Sequence, residues 1–353
     1  MIKQLRLANF TGFKDNIINF ANGINVIIGD NGAGKSNLLR IPYVLSYISN
    51  EENRKKIHNE EPTKNILQPL IASKIVSVYR PEYLGRLVKR KQGREKCEID
   101  IEYDDRDFDI RFSFASNSRT EVDIEKLPKK FLDKTSVYIP TRELLTIYPG
   151  FVSLYEQYHL EFEETWRDTC ISLGAPISKG PREKKINDLI KPLEEAMGGS
   201  ILLDINGRFY LSLPGKGKME ITLVAEGIRK IAMLARLIAT GQIFELGYLF
   251  WDEPESNLNP KYIRTISQTI VDLAENNIQI FLATHSLFFL RELEIILNQR
   301  KKLDIKSSYI GLNKNNEDFS IEQGSSIEDL QTITALEEEL KQSDRYLDIE
   351  NDN

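Results

Sequence analysis

The stretch INVIIGDNGAGKSNLL, residues 24–39, constrains this chain more than any other. An apolar run ends at Gly29, further glycines follow at 32 and 34, and apolar residues then recur at helical spacing. A strand, a glycine loop and a helix in that order let the backbone curl until successive N–H groups face one point. The positive end of the helix lies behind that point, which suits a phosphate group. The loop matches GxxxxGK[ST]. Asn31, Gly32, Ala33, Gly34, Lys35, Ser36 and Asn37 are therefore the candidate nucleotide-binding residues. Lys35 suits the β and γ phosphates of ATP, and the Ser36 hydroxyl suits Mg²⁺, which takes hard oxygen ligands.

Two later segments supply the groups a triphosphate reaction needs. YLFWDEPESNLNP, residues 248–260, is an apolar run ending in adjacent carboxylates at the rim where ligands sit in parallel sheets. Asp252 is the candidate metal ligand beside Ser36. Glu253 is the candidate catalytic residue that orients the attacking water. FLATHS repeats the arrangement and brings His285 to the same edge. There it can touch the γ phosphate or the water, so Lys35, Glu253 and His285 form the candidate catalytic set.

Composition narrows the class. With 353 residues and 41% apolar content the chain can bury a core. Two distant cysteines, Cys97 and Cys170, and three histidines make neither a disulfide framework nor a transition-metal quartet. No stretch approaches the roughly 18 apolar residues of a membrane span, and MIKQLRLANF lacks a secretion pattern. A cytoplasmic protein without a membrane partner is expected. A net charge of −6 means that contact with nucleic acid needs a local basic patch.

Along the chain, IKQLRL and NIINF alternate as strands, residues 50–75 are charged and helical, and KIVSVYR, CEIDIEY and FDIRFSF read as a small antiparallel sheet. TSVYIP reads as a buried strand, and residues 151–199 read as helices broken near 174–181. MEITLVAEGIRKIAMLARLIATG reads as a strand turning into a long helix. A helix over about 261–275 separates the last two apolar strands, as parallel crossovers require. The expected organisation is a core lobe over 1–145 with an inserted sheet, a helical lobe over 146–240, a completed core over 241–325 and an acidic tail over 326–353.

The order GDNGAGKS, YLFWDEP, ESNLNP and ATHS resembles the Walker A, Walker B, D-loop and H-switch of ABC-type ATPases. LRLANFTGFKD ahead of INVIIGDNGAGKSNLL narrows the resemblance to the branch of SMC, RecF and overcoming-lysogenization-defect proteins. IPTRE, with Thr141, Arg142 and Glu143 where relatives carry a Q-loop, is similar to the small AAA_21/AAA_15-type ATPases of antiphage systems such as Septu, Gabija and PARIS. The resemblance implies an α/β ABC-type P-loop fold with a mixed sheet core, an inserted antiparallel β-subdomain and a helical signature lobe. It also implies a homodimer or higher homo-oligomer that sandwiches ATP. The signature segment is then LVAEGIRKI, with Glu226, Gly227, Arg229 and Lys230 acting in trans and Ala225 replacing the usual serine. Ser256, Asn257 and Asn259 fall in the D-loop.

GRLVKRKQGREK carries Arg86, Lys89, Arg90, Lys91, Arg94 and Lys96. It is a candidate nucleic-acid loop whose plainer reading is a solvated hairpin tip. The interval between the Walker motifs is too short for SMC arms, and the stretch after His285 is too short for a Toprim nuclease. The expected function is an ATPase switch acting on a separate effector, a nuclease or toxin, in antiphage defence. A RecF-like DNA clamp is the alternative. A transporter subunit is disfavoured by LVAEG.

Overall fold

The computed structural model describes residues 1–55, 61–89, 95–158, 160–180, 183–243, 246–301, 304–315 and 318–351. In chain order its elements begin with β1 (Ile2–Phe10), β2 (Phe13–Asn19), β3 (Ile24–Gly29), α1 (Lys35–Lys55) and α2 (Lys64–Tyr79). There follow β4 (Lys96–Tyr103), β5 (Ile110–Ala115), β6 (Asp123–Lys126), β7 (Thr135–Ile139), α3 (Tyr148–Tyr158), α4 (Glu164–Gly174) and α5 (Glu183–Met197). The next are β8 (Ser200–Leu203), β9 (Phe209–Leu213), β10 (Gly217–Glu220), α6 (Glu226–Ala239), β11 (Leu246–Asp252) and α7 (Pro260–Glu275). The chain closes with β12 (Gln279–Thr284), α8 (Leu287–Gln299), β13 (Ser307–Asn315), β14 (Asp318–Gly324) and α9 (Thr334–Asn351).

The central sheet has the order β14-β13-β3-β12-β11-β7, parallel from β13 to β7 with β14 antiparallel at the edge. Its strands are apolar throughout because both faces are covered. In β3, Val26 and Ile28 enter one core with α4 to α8, whereas Ile27 enters a second core with α1, α2 and the other large sheet. Leu249 and Trp251 of β11 face the first core, and Tyr248 and Phe250 face the second. A fully buried side chain of this size contributes roughly 1.5–3 kcal/mol. The alternation therefore ties both layers to the strands that carry the site.

The second large sheet, β2-β1-β4-β5-β6, is antiparallel. The inserted strands β4 to β6 extend the amino-terminal hairpin, with β4 pairing along β1 from Ile2↔Tyr103 to Ala8↔Glu98. Buried Gln279 joins the two sheets at the edge far from the glycine loop. Its Oε1 accepts from the Ile2 amide at 2.8 Å, and its Nε2 donates to the Ile2 carbonyl at 2.7 Å.

KIVSVYR, expected to be a strand, forms the second half of α2. Its alternating β-branched residues carry a local strand preference. Ile71, Ala72, Ile75 and Val78 nevertheless bury one helical face, and that packing overrides the preference. The helix ends on Arg80 in the left-handed region, whose N–H donates to the Val76 carbonyl. Strands β13 and β14, absent from the sequence reading, complete the sheet beside β3.

Candidate nucleotide site at the carboxyl edge of the central sheet

Strands β3, β12 and β11 are consecutive neighbours, and their carboxyl ends carry the three motifs. The glycine loop is shaped from below by β13 and β14. A Cβ on Gly29 would lie 2.5 Å from the Leu312 carbonyl oxygen, and one on Gly34, at φ +91°, would lie 2.5 Å from the Phe319 ring. Lys35 is 5% exposed. Its Nζ donates to the carbonyls of Gly29 at 2.8 Å and Asp30 at 3.0 Å. Burial lowers its pKa, against the pull of Glu253, Asp252 and Glu255. Asn31 and Gly32 are exposed, and Ala33 is buried. The Asn37 carbonyl accepts the Tyr79 hydroxyl at 2.5 Å.

Asp252 is 6% exposed. Burial raises its pKa, while hydrogen bonds from Ser36 and Tyr138 and the Arg40 charge oppose the rise. The Tyr138 hydroxyl donates to its Oδ2 at 3.3 Å. Among the described residues, no cluster of three or more His, Cys, Asp or Glu side chains could hold a metal. The Ser36 hydroxyl against the Asp252 carboxylate is a hard-oxygen pair that fits Mg²⁺, an ion that completes its shell with phosphate oxygens and water.

Glu253 sits at φ +49°. Its N–H donates to the Ala283 carbonyl at 2.8 Å, continuing the β11–β12 pairing one residue past the strand. Its Oε1 lies 3.1 Å from Nδ1 of His285. Behind this pair lies an acid that the sequence reading did not single out. Glu255 is 9% exposed, accepts the Thr284 hydroxyl on Oε1 at 2.5 Å, and keeps Oε2 buried without a hydrogen-bond partner. Burial raises its pKa. The third acid of DEPE was the available signal.

The signature segment meets the D-loop of its own chain. A Cβ on Gly227 would lie 2.8 Å from the Asn257 carbonyl oxygen, and Asn257 donates to Glu226 at 2.9 Å. Asn259 caps α7, accepting from the Lys261 amide at 3.1 Å. Arg229 pairs with Glu143 at 2.8 Å, and the Thr141 carbonyl accepts the Ser256 hydroxyl at 3.1 Å. Arg142 is exposed. The expectation for Lys230 requires correction. At 1% exposed, and bonded to Glu253 and Ser256 of its own chain, Lys230 presents no charge to a second copy.

The basic loop is also partly consumed within the chain. Arg86 pairs with Glu82 at 2.7 Å, and Lys89, 8% exposed, is bonded to Asp318 and to the Gly12 carbonyl. Lys96 is exposed, while Arg90, Lys91 and Arg94 lie outside the described residues.

Residues 24–291 match the family model described as AAA domain, putative AbiEii toxin, Type IV TA system. The chain belongs to this family, AAA_21. Among curated proteins, this AAA_21 chain is 30% identical over 142 residues to the DNA replication and repair protein RecF of Tropheryma whipplei. That alignment covers 39% of this chain and only 30% of RecF. An ATP/GTP phosphatase of Helicobacter pylori is 20% identical over 344 residues, covering 85% of this chain and 89% of its own. Among solved structures, an SMC head bound to the C-winged helix domain of ScpA superposes with a TM-score of 0.59 at 14% identity, covering 93% of this chain and 98% of the head. The Smc head with an extended coiled coil, bound to the C-terminal domain of ScpA derived from Pyrococcus furiosus, gives 0.53 at 13% identity, covering 98% and 99%. The AAA_21 chain therefore has the SMC-head fold and is similar to RecF over part of its length. Among the described residues no helix is long and apolar enough to cross a membrane.

Proposed function

We propose that this ATPase uses nucleotide-dependent pairing of two copies as a switch controlling a separate effector, a nuclease or toxin, in cytoplasmic antiphage defence. The observation that carries the catalytic part is the convergence of Lys35, the Ser36–Asp252 pair and the Glu253–His285 pair on neighbouring strand ends. The family description, with its toxin and toxin–antitoxin terms, supports the effector part.

In this reading the loop amides from Asn31 to Asn37 cradle the phosphates of ATP. Lys35 turns from the Gly29 and Asp30 carbonyls onto the β and γ phosphates, while Ser36 and Asp252 are the residues that would hold a magnesium ion. That ion supplies charge neutralisation on the phosphate oxygens. Glu253 accepts a hydrogen bond from the attacking water and orients it in line with the γ phosphorus. His285 steadies the Glu253 carboxylate and faces the γ phosphate. Glu226 and Gly227, at the start of α6 in the lobe over 146–240, close over ATP held by the second copy together with Ser256 and Asn257. Ala225 offers no side-chain cap there, so the α6 backbone amides are the donors that remain for phosphate.

The likeness to RecF over 142 residues favours a second reading, a DNA clamp with no toxic partner. The deciding experiment measures native mass and ATP turnover of the wild type and Glu253→Gln, each with ATP, with and without DNA. The first reading expects Glu253→Gln to retain ATP and accumulate as a pair without DNA. A pair that forms only on DNA favours the clamp. A monomer under every condition removes the switch.

A further inference from the structure

Among the described residues no lysine or arginine is more buried than Lys230, and the reaction proposed above leaves it without a task. Its ammonium has three N–H donors, and each has an oxygen acceptor. These are the Glu253 carbonyl at 2.5 Å, the Ser256 hydroxyl at 2.5 Å and the Ser256 carbonyl at 3.2 Å. All belong to the turn that follows β11. The Ser256 hydroxyl passes the restraint onward by donating to the Thr141 carbonyl, just beyond β7.

The held residue is in a strained conformation. A side-chain-bearing residue at φ +49° persists only where its surroundings over-determine it. For Glu253 the amide is fixed by Ala283, and the carbonyl accepts both the Ser256 amide and the Lys230 ammonium. Released from the ammonium, Glu253, which precedes Pro254, can turn about its N–Cα bond to the extended backbone that a residue before proline prefers, which re-aims the Cβ and takes the carboxylate away from His285. Stability alone is a poor reason for this arrangement. Desolvating an ammonium is unfavourable, and an apolar side chain of similar volume would fill the space at less expense of free energy.

We infer that Lys230 is a positioning residue for ATP hydrolysis, holding the Glu253 backbone so that its carboxylate stays on His285, and so tying the start of α6 to the catalytic acid. The same helix end contacts the turn a second time, through Glu226 to Asn257 and through the close approach of Gly227. Any load on Glu226 and Gly227 therefore reaches the acid within one side chain's length. The inference rests on the reading of Glu253 as the residue that orients water.

The test compares Lys230→Met, Ser256→Ala and Glu253→Gln with the wild type, reading kcat, the Kd for a fluorescent ATP analogue with Mg²⁺, and Tm. Lys230→Met is expected to lose about 10- to 100-fold in kcat with Kd within about threefold, part of what a positioned acid–base group contributes. Ser256→Ala should show a smaller loss of the same kind. Wild-type kcat in Lys230→Met overturns the inference and leaves the Glu253 reading standing, and so does a parallel collapse of kcat and Kd. Should Lys230→Met fail to fold, wild-type kcat in Ser256→Ala is the overturning result. Normal turnover in Glu253→Gln is a separate outcome that removes the underlying reading.

Discussion

Nδ1 of His285 stands 3.1 Å from Oε1 of Glu253, each residue one step beyond the end of neighbouring parallel strands. The register Asp252↔Ala283 sets Glu253 level with Thr284, one residue short of His285, so the two side chains leave neighbouring parallel strands within reach of each other. A carboxylate can only accept, so the imidazole donates from Nδ1 and its Nε2 is left for the phosphate or the water.

His285→Ala should therefore lower kcat by about 10- to 100-fold while Kd for ATP changes little, since the imidazole acts on the acid and the reacting phosphate and leaves the loop amides untouched. Steady-state turnover alongside equilibrium nucleotide binding checks this. Unchanged kcat would detach His285 from the chemistry.

Lys35→Ala should weaken ATP binding by more than about 100-fold, because two charge-assisted contacts at ~1.5–3 kcal/mol each are lost. Calorimetric titration with ATP and Mg²⁺ reads this directly. Retained tight binding would contradict the role given to the loop.

Glu255 yields a prediction about pH with a definite sign. Its carboxyl pKa is raised by burial, so between the ordinary value and the raised one the folded chain holds a proton that the unfolded chain has released. Stability then falls as pH rises through that window, and the loss persists above it. Glu255→Gln keeps an oxygen for the Thr284 hydroxyl and removes the buried charge. At pH 7 to 8 it should be more stable by ~1–2 kcal/mol, a gain that shrinks as pH falls into the window. Equal destabilisation across pH 5 to 8 in denaturant titrations would refute it.

Gly32 and Gly34 separate two reasons for glycine. Both have positive φ, but a Cβ on Gly32 meets nothing, whereas one on Gly34 meets the Phe319 ring. Gly32→Ala should cost about 1–2 kcal/mol from backbone strain alone. Gly34→Ala should cost ~1–3 kcal/mol more from overpacking. Equal losses of Tm in the two variants would remove Phe319 as the support of the loop.

The glycine loop was legible in the chain because its geometry is local. Glycine spacing, Lys35 and Ser36 all fall within residues 29–36, so the curl can be read from the chain although β13 and β14 support it from below. Asp252, Glu253 and His285 were legible for a related reason, since apolar strands buried on both faces announce where they end. Lys230 was misread because a basic residue near a helix start looks solvated until the turn that surrounds it is known. Glu255 and the support from Phe319 depend on contacts between segments far apart in the chain, 29 residues for Glu255 with Thr284 and the whole stretch from the loop after β3 to β14 for Gly34 with Phe319.

The amino-acid order by itself determined the glycine loop, the acids at the strand end and the two-sided burial of the sheet, because each follows from spacing within a few residues. Tertiary structure alone decided which groups meet. It paired Glu253 with His285, folded KIVSVYR into a helix against its local preference, and turned Lys230 inward. Those outcomes depend on strand register and on burial against distant segments, where desolvation and packing outweigh any single residue's propensity.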